Sequence, residues 1–301
     1  MDCSSATIDL HIHSTASDGS LPPHDILTLA IKLGLKAISL TDHDSVEGIK
    51  ALLKTGVSPV IELLTGVEIS ACPPPGFNLS GSMHILGYGI NVEDNRLNEM
   101  LDVQQQARIN RTPQIIERLN DLGIALSVSD IQAQTGNKQI GRPHIAQWMV
   151  TNGHAGSIDE VFDRYIGKGR PAYVEKSRIP MADAIQRIRA AGGLAVLAHP
   201  GLLDINEKDD YEQLLVELMS MGLQGVEVYY PEHSARQQSG FEHLANKLGL
   251  LVSGGTDFHG DINPEIQLGT GKGDLCIPYS IYKSIINALT LNAYPIYNDQ
   301  S

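Results

Sequence analysis

Seven short apolar runs punctuate the chain, near residues 6–13, 36–41, 60–69, 83–90, 194–199, 225–230 and 250–256. Amphipathic stretches near 24–34, 45–55, 180–192, 210–222 and 234–248 fill most of the gaps between them. Brief apolar runs suit strands, and apolar residues recurring every three or four positions suit helices. Strand and helix in turn predict an α/β fold with a largely parallel sheet. Seven strands approach the number that closes a sheet on itself, so a barrel is expected in preference to an open sheet.

Residues 96–178 break this rhythm. They read as helices near 96–122, 127–135, 142–152 and 157–166, with turn signals at Asn120 to Gly123, Gly136-Asn137 and Asn152-Gly153 and no strand pattern. The expected organisation is a discontinuous barrel domain, residues 1–95 and 179–301, with a helical insert at 96–178 that forms a substrate-capping subdomain. Charge follows the same division. The insert carries 11 Lys+Arg against 9 Asp+Glu, whereas the rest carries 11 against 26, for a net charge of −13. An acidic body does not hold duplex DNA through its phosphates. The basic insert is either a solvated helical segment or a face turned toward an anionic substrate.

No apolar run reaches 18 residues, so no membrane span is expected. The start, MDCSSATIDLHIHS, lacks the basic-then-apolar order of a secretory signal. Cys3, Cys72 and Cys276 are far apart and form no CxxC pair. That argues against a disulfide framework or a cysteine-built zinc site and suits a reducing cytoplasm. Cys72 and Cys276 are expected to be small buried apolar residues.

The chemistry gathers at strand ends. In TIDLHIHS, Thr7, Asp9, His11 and His13 alternate with Ile8, Leu10 and Ile12, and a strand projects every second side chain to one face. His11 and His13 therefore project together, either as a bidentate metal clamp or as a polar pair inside a barrel. The first run continues into Ser14-Thr15-Ala16-Ser17-Asp18-Gly19. The second ends in Thr41-Asp42-His43-Asp44 and the third in Thr65-Gly66-Val67-Glu68. A later strand carries His84, LAVLAHPG ends in His199, and SGGTDFHG places Asp257 and His259 two apart. The C-terminal ends of barrel strands meet on one rim. Nine ionisable groups buried there without partners would be costly. Divalent cations remove that cost by turning imidazoles and carboxylates into ligands.

In order and type, DLHIHSTASDG, TDHD, GVE, AHPG and GTDFHG resemble the successive motifs of the PHP (polymerase and histidinol phosphatase) superfamily. The resemblance covers about residues 6–95 and 180–260. It implies a distorted (β/α)7 barrel holding two or three divalent metal ions. His11, His13, Glu68 and Asp257 would hold one. Glu68 would bridge to a second, bound also by His84 and His199, and Asp18, His43 and His259 would hold the third. Asp9 and Asp42 would orient imidazoles from behind, or are plain structural polarity. Nitrogen and oxygen ligation without thiolate suits Mn²⁺, with Fe²⁺ or Zn²⁺ as alternatives.

The activity so implied is phosphoester hydrolysis by a metal-activated hydroxide. His233, in Tyr229-Tyr230-Pro231-Glu232-His233-Ser234, is the candidate general acid and a substrate contact; the alternative is a histidine that caps a helix. Arg108 and Arg111 share a helix face, and Arg142 and His144 open another helix in GRPHIA, where anions bind well. These four are candidate substrate-binding residues, with surface salt bridging as the alternative. His24, His154 and His243 are expected to be structural. GRPHIA in a helical insert also resembles one PHP subgroup, which removes a phosphate from nucleoside 3′,5′-bisphosphates and in some members degrades short RNA from the 5′ end. A small phosphorylated nucleotide, or short RNA, is the expected partner. Competing readings are a phosphatase for another phosphomonoester such as histidinol phosphate, a metal-dependent amidohydrolase and a non-catalytic metal-binding module.

Overall fold

A computed structural model describes residues 7–56, 60–77, 79, 83–135, 140–175, 178–203, 205 and 208–293. Cys3 and the Gly136-Asn137 turn signal lie outside them. Strand β1 (Ile8–Ile12) leads through α1 (Pro23–Lys32) to β2 (Ala37–Leu40), and α2 (Glu47–Thr55) leads to β3 (Glu62–Cys72) and β4 (Met83–Tyr88). The helical segment follows: α3 (Asn95–Asp121), α4 (Val128–Thr135), α5 (Arg142–Thr151) and α6 (Ile158–Val161), the last running into a π-helical turn at Phe162–Ile166. The short β5 (Ile179–Pro180), α7 (Met181–Ala190), β6 (Leu194–Leu197), α8 (Lys208–Met221), β7 (Gly225–Tyr229), α9 (Ala235–Leu248), β8 (Leu251–Gly254) and α10 (Tyr279–Ala293) complete the order.

The strands line up as β1-β2-β3-β4-β6-β7-β8, with β5 beside β3. The sheet curls until its edges nearly meet. Beyond the strand ends, Asp257 N–H donates to His11 O at 2.8 Å and His13 N–H to Phe258 O at 3.0 Å. Gly255 permits this approach, because a Cβ there would sit 2.2 Å from the His11 Cβ. The seven expected strands are present on the path, and the α/β barrel reading holds.

The expectation of C-terminal strand ends meeting on one rim needs one correction. β4 runs antiparallel to both β3 and β6. Only residues 73–82 join β3 to β4, too short a link for the crossover that a parallel pair requires. His84 therefore reaches the rim from the N-terminal end of its strand. A second difference is α10, which the apolar runs did not signal; Ile281, Tyr282 and Ile285 seat it on the core.

Two apolar clusters hold the chain together. The larger joins strand residues such as Ile8, Leu10, Ile38, Leu40, Ile69 and Ile85 to the surrounding helices. The smaller belongs to the helical segment and gathers Ile115, Leu119, Ile131, Ile145, Trp148 and Met149. The long α3 serves both, with Leu97 and Leu101 in the first and Ile115, Ile116 and Leu119 in the second. Cys72 and Cys276 are half-buried, less enclosed than expected. Among the described residues no helix is long and apolar enough to cross a membrane.

Candidate metal centre

Glu68 stands at the centre of the rim. Because β3 continues past the end of β2 to pair with β4, its carboxylate is carried into a ring of imidazoles. His43 Nδ1 lies 2.7 Å from it, His84 Nδ1 2.9 Å, His199 Nε2 3.0 Å, His13 Nε2 3.3 Å and His11 Nε2 3.5 Å. Asp257 Oδ1 approaches His13 Nε2 at 2.9 Å and His11 Nε2 at 3.4 Å. Asp18 faces His259 at 3.5 Å, His13 at 3.7 Å and His43 at 3.8 Å. All nine residues singled out as ligands are thus brought together, from six stretches of chain.

Three donor groups emerge, each compact enough to surround one ion: His11, His13, Glu68 and Asp257; His43, Glu68 and His84; and His13, Asp18, His43 and His259. The division differs slightly from expectation, since His13 and His43 each stand between two groups. His199 borders the middle group through Glu68 and through His84 Nδ1, 3.3 Å away.

The donor chemistry fits cations. Buried atoms without a hydrogen-bond partner include His11 Nε2, both ring nitrogens of His13, His43 Nδ1, His199 Nδ1, Asp18 Oδ1, Glu68 Oε2 and Asp257 Oδ1. Orphan polar atoms each cost about 1–3 kcal/mol. So many converging on one point are the mark of a site built for ions that coordinate them.

Without an ion, the imidazoles and carboxylates compensate one another only if imidazoles carry protons. Burial would raise the Glu68 carboxyl, but His43, His84 and His11 hold it well below the usual range. Asp257, against His11, His259 and His13, and Asp18, against His43, His259 and Arg108, follow the same pattern. Burial pulls the imidazoles down, yet neighbouring carboxylates push His13 up to about 10 and His11 well above its ordinary value. Cations would replace those protons, because ligation requires deprotonated imidazole.

Backbone strain is concentrated here. Among the described residues, the non-glycine positions with positive φ are Asp44 (51°), His199 (27°) and Asp257 (56°). Such conformations cost of order 1–3 kcal/mol each and persist when their surroundings over-determine them. Glu227 fixes His199 by accepting its backbone N–H at 2.7 Å, and Ser70 holds Asp44 through its N–H at 2.9 Å and its hydroxyl at 3.0 Å.

Glu227 is the main residue that the sequence reading missed. Its other oxygen accepts from His11 Nδ1 at 3.0 Å, which turns Nε2 toward the centre. The available signal was a carboxylate inside an apolar run, Gly225-Val226-Glu227-Val228, since a charge in a buried strand needs a reason. Among the described residues, Asp9 and Asp42 have backbone and hydroxyl partners rather than imidazole rings, the structural alternative. Asp9 accepts from the backbone N–H groups of His11, Thr256 and Gly269 and from the Thr256 hydroxyl, while burial raises it to about 6. Asp42 binds Ser14 and Ser17. Tyr230 was also missed; its hydroxyl donates to Asp257 Oδ2 at 3.0 Å.

The expected acid, His233, is poorly placed for that role. Its Nδ1–H donates to Val228 O at 2.8 Å, and Nε2 accepts the Gly201 N–H at 3.0 Å. Both nitrogens are committed, burial lowers its pKa, and its ring packs on Tyr230, which lies between it and His199. It braces the turn after His199.

The helical segment supplies a cationic wall. A cavity of ≈ 120 Å³ is lined by Asp18, His43 and His84 on one side and by Arg108, Arg111 and Arg142 on the other. Arg108 bridges the two, 3.3 Å from Asp44 Oδ2 and 3.8 Å from Asp18 Oδ2. Arg111 is held by Val174 O at 2.8 Å, and its Nη2 is buried without a partner. Arg142 stacks over Phe162 at 5.2 Å. Among the described residues, neither Arg111 nor Arg142 has a carboxylate within 4 Å. Burial and the neighbouring Arg142 lower Arg111 to about 10. His144 does not line this cavity. It is buried, and its Nδ1 accepts the Gly141 N–H at 3.0 Å, closing the first turn of α5.

Comparison with known proteins agrees with this geometry. The chain is 33% identical over 255 residues to a 3′,5′-nucleoside bisphosphate phosphatase of Chromobacterium violaceum, covering 84% of this chain and 87% of that one. It is 32% identical over 252 residues to a 5′-3′ exoribonuclease of Haemophilus influenzae, covering 83% and 89%. Its fold superposes with a TM-score of 0.82 on the structure of an amidohydrolase from Chromobacterium violaceum with bound sulfate and no metal (31% identity; 95% and 97% covered). A structure assigned to a metal-dependent phosphoesterase from Bifidobacterium adolescentis gives 0.81 (26% identity; 94% and 96% covered). The sequence profile of the PHP domain matches residues 9–233, a stretch that takes in seven of the nine clustered ligand candidates, all but Asp257 and His259, and also Glu227 behind His11. By that match and by these relatives, the chain belongs to the PHP domain family.

Proposed function

We propose that this chain is a metal-dependent phosphoesterase that removes a phosphate from a nucleoside 3′,5′-bisphosphate, with short 5′-phosphorylated RNA as a second substrate. One observation carries the reading: arginines without carboxylate partners face, across a small cavity, a cluster of buried donors without hydrogen-bond partners. One side requires cations and the other an anion, and a substrate with two phosphates meets both needs.

His11, His13, Asp18, His43, Glu68, His84, His199, Asp257 and His259 would hold two or three divalent ions, Mn²⁺ first and Fe²⁺ or Zn²⁺ as alternatives. When bound, such ions lower the pKa of coordinated water and neutralise charge on phosphoryl oxygens. The protein's own groups do the positioning. Glu227 and Tyr230 fix His11 and Asp257. Arg111 and Arg142 bind the phosphate that does not react, as guanidinium groups do well. Arg108, tied to Asp44 and Asp18, keeps that wall in register with the cluster. Residues 96–178 would act as the cap that completes the site.

Purified protein with added Mn²⁺ should release phosphate from a nucleoside 3′,5′-bisphosphate. If neither that compound nor short 5′-phosphorylated RNA is turned over with Mn²⁺, Fe²⁺, Zn²⁺ or Mg²⁺, the substrate assignment is wrong.

A further inference from the structure

Among the described residues, an arginine-lined cavity and a second opening lead off the cluster. The arginine cavity is the smaller. A wider groove of ≈ 570 Å³ reaches the cluster at Tyr230, Asp257 and His259. Pro143 and Phe162 line both, so the start of α5 and the π-helical turn stand between them.

The charge of the two is opposite. The groove is bordered by Asp159, Glu232 and Glu265, and Lys272 is its only lysine or arginine among the described residues. Lys272 lies 3.8 Å from Glu232, which offsets that pair. Asp159 and Glu265 are exposed, and among the described residues neither has a cation within 4 Å.

We propose that this acidic groove is a chain-length filter, with Asp159 and Glu265 as specificity-determining residues that favour a mononucleotide bisphosphate over RNA. The proposal rests on the phosphoesterase reading above. With one phosphate in the arginine cavity and the reacting phosphate at the cluster, a monoester presents only phosphate oxygens and water to the groove. A phosphodiester held the same way must run its following nucleotides along it. Each added phosphate then meets the field of two uncompensated carboxylates. Like charges a few ångström apart at a solvated surface weaken binding roughly threefold per close pair. Salt screens that repulsion over about 10 Å at 0.1 M.

The test compares kcat/KM, with Mn²⁺, for a nucleoside 3′,5′-bisphosphate and a 5′-phosphorylated tetraribonucleotide. Wild type is compared with Asp159→Asn/Glu265→Gln at low and high salt. Both side chains are exposed, so the variant should fold. Wild type should favour the bisphosphate. The variant should shift the ratio roughly tenfold toward the tetranucleotide, and the rise of that ratio with salt should weaken. A tetranucleotide with uncharged methylphosphonate links beyond the first should also regain rate on wild type. A ratio within about twofold of wild type, or a neutral-backbone substrate as slow as the charged one, would overturn the filter. So would a wild type that already treats both substrates alike. Turnover of neither substrate would instead remove the phosphoesterase reading, and the filter with it.

Discussion

The barrel rim and the helical segment are incomplete in opposite ways. At the rim, imidazoles and carboxylates from six stretches are buried against one another, and many of their inward atoms lack hydrogen bonds. In the helical segment, Arg111 and Arg142 are packed among aromatic rings and carbonyls with no carboxylate in reach among the described residues. The rim rests on a sheet that fixes its donors through backbone pairing. The arginine wall rests on a separate apolar cluster of helices. The difference teaches that the proposed cation site and the proposed anion wall rest on different apolar clusters, joined by α3 and by Arg108, and face each other across the cavity. Damage to one core should therefore leave the other's chemistry recognisable.

The sharpest way to break this division is at the rim. His11→Ala or Asp257→Ala should lower phosphate release by about a thousandfold or more, roughly 4 kcal/mol of barrier, with the helical segment still folded by circular dichroism. Substrate affinity that collapsed along with the rate would show that the two halves are not separable. Next in size is Ile145→Ala in the smaller cluster, which should cost about 2–5 kcal/mol of local stability. Hydrogen exchange should then accelerate in α4 and α5 while β1, β2 and β3 stay protected. Uniform acceleration would mean one cooperative unit.

Arg111→Ala should raise KM about tenfold or more, the loss of one charge-assisted contact, with kcat little changed. A fall in kcat at constant KM would place Arg111 at the reacting phosphate. The smallest effect is expected for Glu227→Gln. Weakened support for His11 should cost about tenfold in Mn²⁺ affinity, measured by metal titration, with catalysis restored at saturating metal. Activity that stayed low at saturation would give Glu227 a part beyond positioning.

Much of this was legible in the chain itself. Period-two alternation in TIDLHIHS placed His11 and His13 on one face, and motifs ending apolar runs pointed to the rim. Those signals are local, because a strand's faces follow from its residue order. The arginine wall was legible only as helix spacing, and the partition of its members was not. Arg108 turned out to be tied to Asp44, His144 to its own helix start, and His233 to Val228 and Gly201. A polar side chain's role depends on which partner the fold sets beside it, and those partners lie 3 to 64 positions away.

By itself the sequence determined the seven strands of the barrel path, the helical interruption and the histidines and carboxylates gathered at the centre, since each follows from short-range pattern. Only the tertiary structure decided that β4 would run backwards to bring His84 to the rim, that Glu227 would stand behind His11, and that a basic cavity and an acidic groove would open from one cluster. Those outcomes depend on link length, sheet closure and the packing of distant segments, and no local pattern encodes them.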